Sequence, residues 1–280
     1  MARRFSLVDV FAGDGLSGNP LAVVHDADGL DLDAMLRLTR WLNFSETAFL
    51  MAPEPAQADY RVRIFTPDRE LPFAGHPTLG SAHAWMAAGG APKAKGRLVQ
   101  ACGVGLVPLR LADGMVGFAA PALLRDGPVS AEDRAEVVAL LGISDADVMA
   151  MAWADNGPGW IAVQLRDAAA VLALSPARSW VRRIDVGVVG ACPPGGDAAY
   201  EIRTFFTDHR LAVREDPVTG SFNAAAAQWL VAMGQASGCW VAAQGQAIGH
   251  GGRVHLDARE REALWVSGVC RTVATGLLPD

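Results

Sequence analysis

Tyr60-Arg-Val-Arg-Ile-Phe65 and Tyr200-Glu-Ile-Arg-Thr-Phe205 are two versions of one six-residue stretch, 140 residues apart. At the same offset, and without a gap, Asp68 lies over Asp208, Leu71 over Leu211, Pro77 over Pro217, Gly80-Ser81 over Gly220-Ser221 and Ala84 over Ala224. Nine of the 25 positions from 60 to 84 agree, where unrelated segments share about two at ordinary residue frequencies. Alanine supplies one of the nine, so an Ala-rich composition does not explain the match. Ala22-Val23 and Ala162-Val163 fall on the same offset. The chain reads as a duplication.

Each copy has the same local grammar. Residues 60–65 and 200–206 alternate polar and apolar side chains, the period of a half-buried strand. A turn follows, and then a helix that begins at proline, over 77–88 in the first copy and 217–233 in the second. Proline suits a first helical turn because its missing N–H has no partner there. Both helices are apolar nearly all round, and a helix of that kind must be wrapped by other structure. The wrapping strands are predicted at 5–10, 20–24, 47–51, 98–101, 105–111 and 115–118, and again at 148–153, 160–165, 186–190, 240–242, 247–250 and 253–257. The fold class that follows is α+β, with two pseudo-symmetric halves, each a barrel-like sheet around a central helix. The halves are expected at 1–120, joined by a C-terminal strand at about 267–280, and at 121–266. Asp31 to Leu42 reads as a surface helix, and Ser130 as the N-cap of another that runs to Leu141.

Composition removes several function classes. Of the 280 residues 51% are apolar and 19% charged, which argues for a folded chain. No apolar run reaches the roughly 18–20 residues of a membrane helix, and Asp9 breaks the first apolar stretch, so neither membrane nor secretion is expected and a cytoplasmic place is. A net charge of −6 argues against nucleic acid. The four cysteines form no C-x-x-C and read as small buried apolar residues, with neither metal nor disulfide. Gly13-Asp-Gly15-Leu-Ser-Gly18 has dinucleotide-fingerprint spacing, but Asn19-Pro-Leu-Ala-Val-Val24 continues as a strand where a phosphate-binding helix would be needed. No motif asks for a cofactor.

Chemistry gathers at the two proline-started helices. His76 stands before Pro77 in Gly75-His76-Pro77-Thr78, and Asp216 before Pro217 in a run that continues to Thr219-Gly220-Ser221. For either residue alone, plain N-capping is the simpler reading. Together, at equivalent repeat positions, they mark a shared site at the pseudo-two-fold interface, where two helix N-termini would hold a small anionic metabolite. Glu46, between the surface helix and an apolar strand, is the third candidate: a partly desolvated carboxylate there has a raised pKa suited to general acid/base work, while for Glu46 alone a surface or turn residue is the simpler reading. His76 and His83 share a helix face, but nothing completes a metal set. Ser221 with His76 and Asp216 suggests a triad, yet G-x-S-x-G is absent.

Gly18-Asn19-Pro20-Leu-Ala-Val-Val, Asn43-Phe-Ser-Glu46-Thr, Arg63-Ile-Phe-Thr-Pro, Glu70-Leu-Pro-Phe-Ala-Gly-His76-Pro-Thr and Glu215-Asp216-Pro-Val-Thr-Gly-Ser221 together resemble the signatures of the phenazine-biosynthesis isomerase (PhzF-like) family, and Gln244-Gly245 to Arg253 resembles its weaker C-terminal motif. The resemblance spans the chain in order. It implies the diaminopimelate-epimerase-like fold and cofactor-independent proton transfer between carbons. It further implies Glu46 as the acid/base, with His76, Asp216 and Ser221 as its catalytic companions. Asn19, Gly75, Thr78, Thr219 and Gly220 are the expected substrate contacts, and a homodimer is the expected assembly. The related epimerases use a cysteine from each half, but Phe73 to His76 and Arg214 to Asp216 contain none, so two-thiol racemisation is not expected. Phe222-Asn223 and His250-Gly-Gly-Arg253 depart from the family pattern and are expected to reshape the pocket. The other reading is a catalytically idle member that binds a metabolite or a protein.

Overall fold

A computed structural model describes residues 2–260 and 263–279. The chain divides into two units, one reaching Ala119 and resuming at Ser267, the other Ala120–Val266. The first contains β1 (Arg3–Val10), β2 (Asn19–Val24), α1 (Leu32–Leu42), β3 (Thr47–Met51), β4 (Tyr60–Phe65), β5 (Glu70–Leu71), α2 (Gly75–Ala87), β6 (Arg97–Cys102), β7 (Gly105–Ala112) and β8 (Met115–Ala119). The second contains β9 (Arg125–Pro128), α3 (Ala131–Leu141), β10 (Val148–Asp155), β11 (Trp160–Leu165), α4 (Ala168–Leu172), β12 (Asp185–Ala191), β13 (Tyr200–Thr207), β14 (Val213–Glu215), α5 (Gly220–Ala232), β15 (Cys239–Gln244), β16 (Gly252–Glu260) and β17 (Ala263–Gly268). β18 (Cys270–Leu278) returns to the first unit and pairs antiparallel with β1.

The duplication is written in the strand pairings. In the first unit β1–β2 is antiparallel, β2–β3 parallel, β3–β4 antiparallel, β4–β6 parallel and β6–β7 antiparallel. The second unit repeats the series, sense for sense, as β10–β11, β11–β12, β12–β13, β13–β15 and β15–β16. Short β5 and β14 pair with β4 and β13 at equivalent places. Each is pinned by the same bidentate ion pair, Arg63 with Glu70 and Arg203 with Glu215. A planar guanidinium meets a carboxylate through two parallel bonds, which fixes orientation as well as distance.

Apolar patterning explains the layers. α2 has no polar face to show to water and is surrounded by β1, β2, β3, β4, β6, β8 and β18. α5 packs in the same way on β10, β11, β12 and β16. On the other side of each sheet a shorter layer closes the unit. Met35 of α1 packs with Val24, Phe49 and Phe65 in the first, and Val137, Leu140 and Leu141 of α3 with Ile161, Val163, Val186 and Val188 in the second. α1 and α3 begin as the sequence predicts, with Asp31 and Ser130 accepting the backbone N–H of Ala34 and Asp133.

Phe222 lies in the core of the second unit. It is fully buried, edge-on to Trp160 at 5.4 Å, and lies over Gly187 of β12. It fills the core between helix and sheet. A methyl group at Gly187 would come within 2.1 Å of its ring. Gly187→Ala is therefore expected to destabilise the protein by about 1–3 kcal/mol, the usual cost of overpacking, and trimming Phe222 to Leu in the same chain to recover part of the loss. Urea unfolding of the wild type and the two variants measures this. An unchanged midpoint in Gly187→Ala would contradict the packing.

Candidate active site

Glu46 owes its position to the end of α1. Asn43 adopts a left-handed conformation (φ 56°) and its N–H closes on Thr39 O, which stops the helix. Four residues later the chain enters β3, where Thr47 pairs with Ala22 of β2 and Phe65 of β4. Glu46 thus stands at the mouth of a buried strand, its side chain 17% exposed. α2 starts at Gly75, so His76 lies in its first turn, and the helix is capped by Ala74 with no side-chain hydrogen bond. These placements bring Glu46 Oε2 to 3.5 Å from His76 Nδ1.

The contact has the partners of a salt bridge but not the charges. Burial pushes the His76 imidazole down to about 3, so it is neutral at pH 7. At 3.5 Å the pair is also long for a hydrogen bond. His76 Nε2 is buried and has no hydrogen-bond partner among the described residues. Two residues onward, Thr78 is fully buried and accepts from Gln100 Nε2 at 3.0 Å, while Gln100 Oε1 accepts from Tyr60 OH at 3.0 Å. Gly75 is buried in the same first turn. Asn19, also fully buried, opens β2 opposite Val10. The two amides before it, those of Ser17 and Gly18, donate to the Asp9 carboxylate at 3.1 and 2.8 Å, so the fingerprint-like loop is strapped by its own acid.

In the second unit Asp216, Thr219, Gly220 and Ser221 lie within one short segment, and they are arranged differently from their repeat counterparts. α5 begins at Gly220 with Thr219 as its N-cap residue, which corrects the expected start at Pro217. The reason lies 25 residues downstream: Gln244 Oε1 accepts the Thr219 N–H at 3.0 Å and holds that residue extended (φ −108°, ψ 98°). Asp216 Oδ2 instead accepts the Thr219 hydroxyl at 2.5 Å. His76 and Asp216 are therefore not helix caps: the caps are Ala74 and Thr219. Ser221 Oγ accepts from the Trp160 indole N–H at 3.1 Å, and its carbonyl from Asn156 Nδ2 at 2.9 Å.

Two further expectations change. Residues 247–250 are not a strand: Gln246–Ile248 form a single 3₁₀ turn between Gly245 (φ 96°) and Gly249 (φ 83°), two left-handed residues that break a ladder. Cys102, Cys192 and Cys270 are partly accessible and Cys239 is exposed, so none is a buried core residue. Of the tryptophans only Trp160 is fully inside, and Trp41 is 79% exposed. Trp160, Asn156 and Thr204 are site neighbours that motif reading missed, whereas Asn223 was marked as a departure beside Ser221. Gln244 had a signal, its place in the C-terminal motif.

Among the described residues no cluster of three or more His, Cys, Asp or Glu side chains is placed to hold a metal ion. No helix among them is long and apolar enough to cross a membrane.

A family model described as phenazine biosynthesis-like protein matches residues 8–276. The chain belongs to that family. Trans-2,3-dihydro-3-hydroxyanthranilate isomerase of Pseudomonas aeruginosa is 36% identical over 225 residues, covering 78% of this chain and 76% of that one. Antisense-enhancing sequence 1 of Schizosaccharomyces pombe is 36% identical over 230 residues, with coverage of 78% and 76%. Among solved structures, a Pseudomonas aeruginosa protein named as a predicted epimerase superposes with a TM-score of 0.79 at 26% identity over 99% of each chain. The fold is thus the α+β, epimerase-like fold of the phenazine biosynthesis-like family, and the protein is an isomerase.

Proposed function

We propose that this isomerase moves a proton between two carbons of a small carboxylate-bearing metabolite, without a cofactor and with Glu46 as the general acid/base. The observation that carries the reading is the Glu46–His76 contact, a part-buried carboxylate beside a buried, neutral imidazole. A carboxylate that accepts a proton from one carbon becomes the acid that returns it at another, so one group suffices for both halves of the reaction. Neutral His76 does not compete for that proton at pH 7. It serves as a hydrogen-bonding group toward the substrate, with Nε2 buried and otherwise without a partner among the described residues.

Substrate binding is assigned to Asn19, Gly75 and Thr78, and to Asp216, Thr219, Gly220 and Ser221. The first N–H groups of a helix have no intrahelical acceptor and carry the positive end of its dipole, which suits a substrate carboxylate at Gly75 and His76 or at Gly220 and Ser221. Relatives named trans-2,3-dihydro-3-hydroxyanthranilate isomerase make that compound the first to try.

The test is an NMR screen of small carboxylates, that compound included, for a product of unchanged mass, with a chelator present throughout. Wild-type protein is expected to form the isomer, and product made in deuterated water to carry solvent label to the extent that Glu46 exchanges its proton. Loss of activity to the chelator, restored by one metal ion, would overturn the cofactor-free part of the proposal.

A further inference from the structure

Gln244 ends β15 and is fully buried. Its Oε1 accepts from the Thr219 backbone N–H at 3.0 Å and from Asn223 Nδ2 at 2.8 Å. A backbone N–H only donates, so this contact decides which end of the side-chain amide is oxygen. The NH₂ end therefore faces the other way, where Nε2 lies 3.1 Å from Thr204 Oγ1, Thr219 Oγ1 and the carbonyl of Asp216. Thr219 Oγ1 in turn meets Thr204 Oγ1 at 2.6 Å and Asp216 Oδ2 at 2.5 Å. A carboxylate only accepts, so the Thr219 hydroxyl proton points to Asp216 and its oxygen accepts from Thr204. The hydrogen bonds run in one direction, from the Gln244 amide through Thr204 and Thr219 to the Asp216 carboxylate.

The backbone supports the same arrangement. A side chain at Gly245 would come within 2.6 Å of Pro217 O, and one at Gly252 within 2.2 Å of Val218, so the segment after Gln244 closes on 217–218 at distances only glycine permits. The first unit supplies an internal comparison. There Gln100 braces Thr78, but its oxygen accepts from Tyr60 and no carboxylate ends the series. At the repeat positions of Thr204 and Thr219 stand Ile64 and Leu79.

We infer that Gln244 is a positioning residue: its amide sets the polarity of this hydrogen-bond chain, keeps 216–219 out of α5, and presents Asp216 to the substrate as an oriented acceptor. The inference rests on the assignment of Asp216 to substrate binding made above. A buried network of this kind is rigid only while every member is satisfied.

Two variants test it. Gln244→Met removes both ends of the amide at similar volume. Gln244→Glu keeps the acceptor for Thr219 N–H and removes the donors, and it carries the test if the methionine variant does not fold. Crystal structures of the variants need no substrate. The Thr219 Oγ1–Asp216 Oδ2 pair is expected to open while β13 and β15 stay in place, and a pair that persists at hydrogen-bond distance overturns the inference. The kinetic arm uses trans-2,3-dihydro-3-hydroxyanthranilate as probe, at a temperature where near-UV circular dichroism shows every variant folded. Asp216→Ala and Gln244→Met are each expected to lower kcat/KM at least tenfold, and the double variant no further than Asp216→Ala alone. A purely structural Gln244 leaves kcat/KM of the folded protein unchanged, and an independent role makes the losses multiply; either result overturns it. If wild-type protein is inert toward the probe, the crystal structures decide. Glu46→Gln, assayed alongside, separates the two readings: full turnover by that variant sinks the acid/base assignment and leaves the Gln244 result standing.

Discussion

Glu46→Gln is expected to fold like the wild type, to bind the same ligand, and to lose about 100-fold or more in turnover, the range found when a general acid/base is removed. The substitution changes one oxygen to an amide nitrogen, keeps the volume beside His76, and takes away the only function that matters for proton transfer. Glu46 sits at the entrance to β3 with its side chain 17% exposed, so a neutral amide there adds no buried charge and removes none of the apolar core. His76 cannot take over, because burial holds its imidazole near 3 and a base that weak accepts little from carbon at neutral pH. If the loss appears in kcat while ligand affinity measured by calorimetry stays within a few-fold, the interaction removed belonged to the transition state. Turnover near the wild-type rate in a folded Glu46→Gln protein would refute the assignment.

The sequence carried the scaffold because the scaffold is local and repeated. Alternation at 60–65 and 200–206, and two helices without a polar face, were enough to call for a sheet around a helix, and β4, β13, α2 and α5 are those elements. The start of α5 was not legible, since no local residue sets it: Pro217 is as good a helix opener as Pro77, and it is the buried amide of Gln244 that keeps Thr219 extended. The turn at 246–248 was misread for a related reason. Ala247 and Ile248 suit a strand, but the glycines at 245 and 249 take left-handed angles, and Gln246 is tied to Glu201 at 3.0 Å. Glu46 and His76 were named separately from the sequence. Their 3.5 Å approach depends on β3 and α2 of one unit, and the loss of charge on His76 depends on how completely the first turn of α2 is enclosed. Neither quantity is encoded by the residues next to them.

That enclosure has a second measurable consequence, in stability against pH. An imidazole in the unfolded chain takes a proton near 6.5, whereas folded His76 does so only near 3. Above about pH 6.5 both states hold it neutral and it contributes no pH dependence. As the pH falls below that point the unfolded chain binds a proton the folded protein does not, so stability is lost progressively from 6.5 down to about 3 and not beyond. The slope approaches about 1.4 kcal/mol per pH unit, which amounts to roughly 3 kcal/mol by pH 4. Burial also lowers His25, His83 and His255, which act in the same sense. Glu201 opposes them: its burial raises that carboxyl to about 7 from an ordinary 4.5, so the folded state keeps a proton the unfolded chain releases, and stability is gained as the pH falls from 7 to 4.5. The whole-protein curve mixes these signs, and a difference isolates His76. His76→Gln, neutral at every pH, is expected to lose stability less steeply than wild type between 6.5 and 3, with the two urea-unfolding curves running parallel above 7. Parallel curves across the whole range would show that His76 is not the enclosed, neutral group on which the reading of the Glu46 site depends.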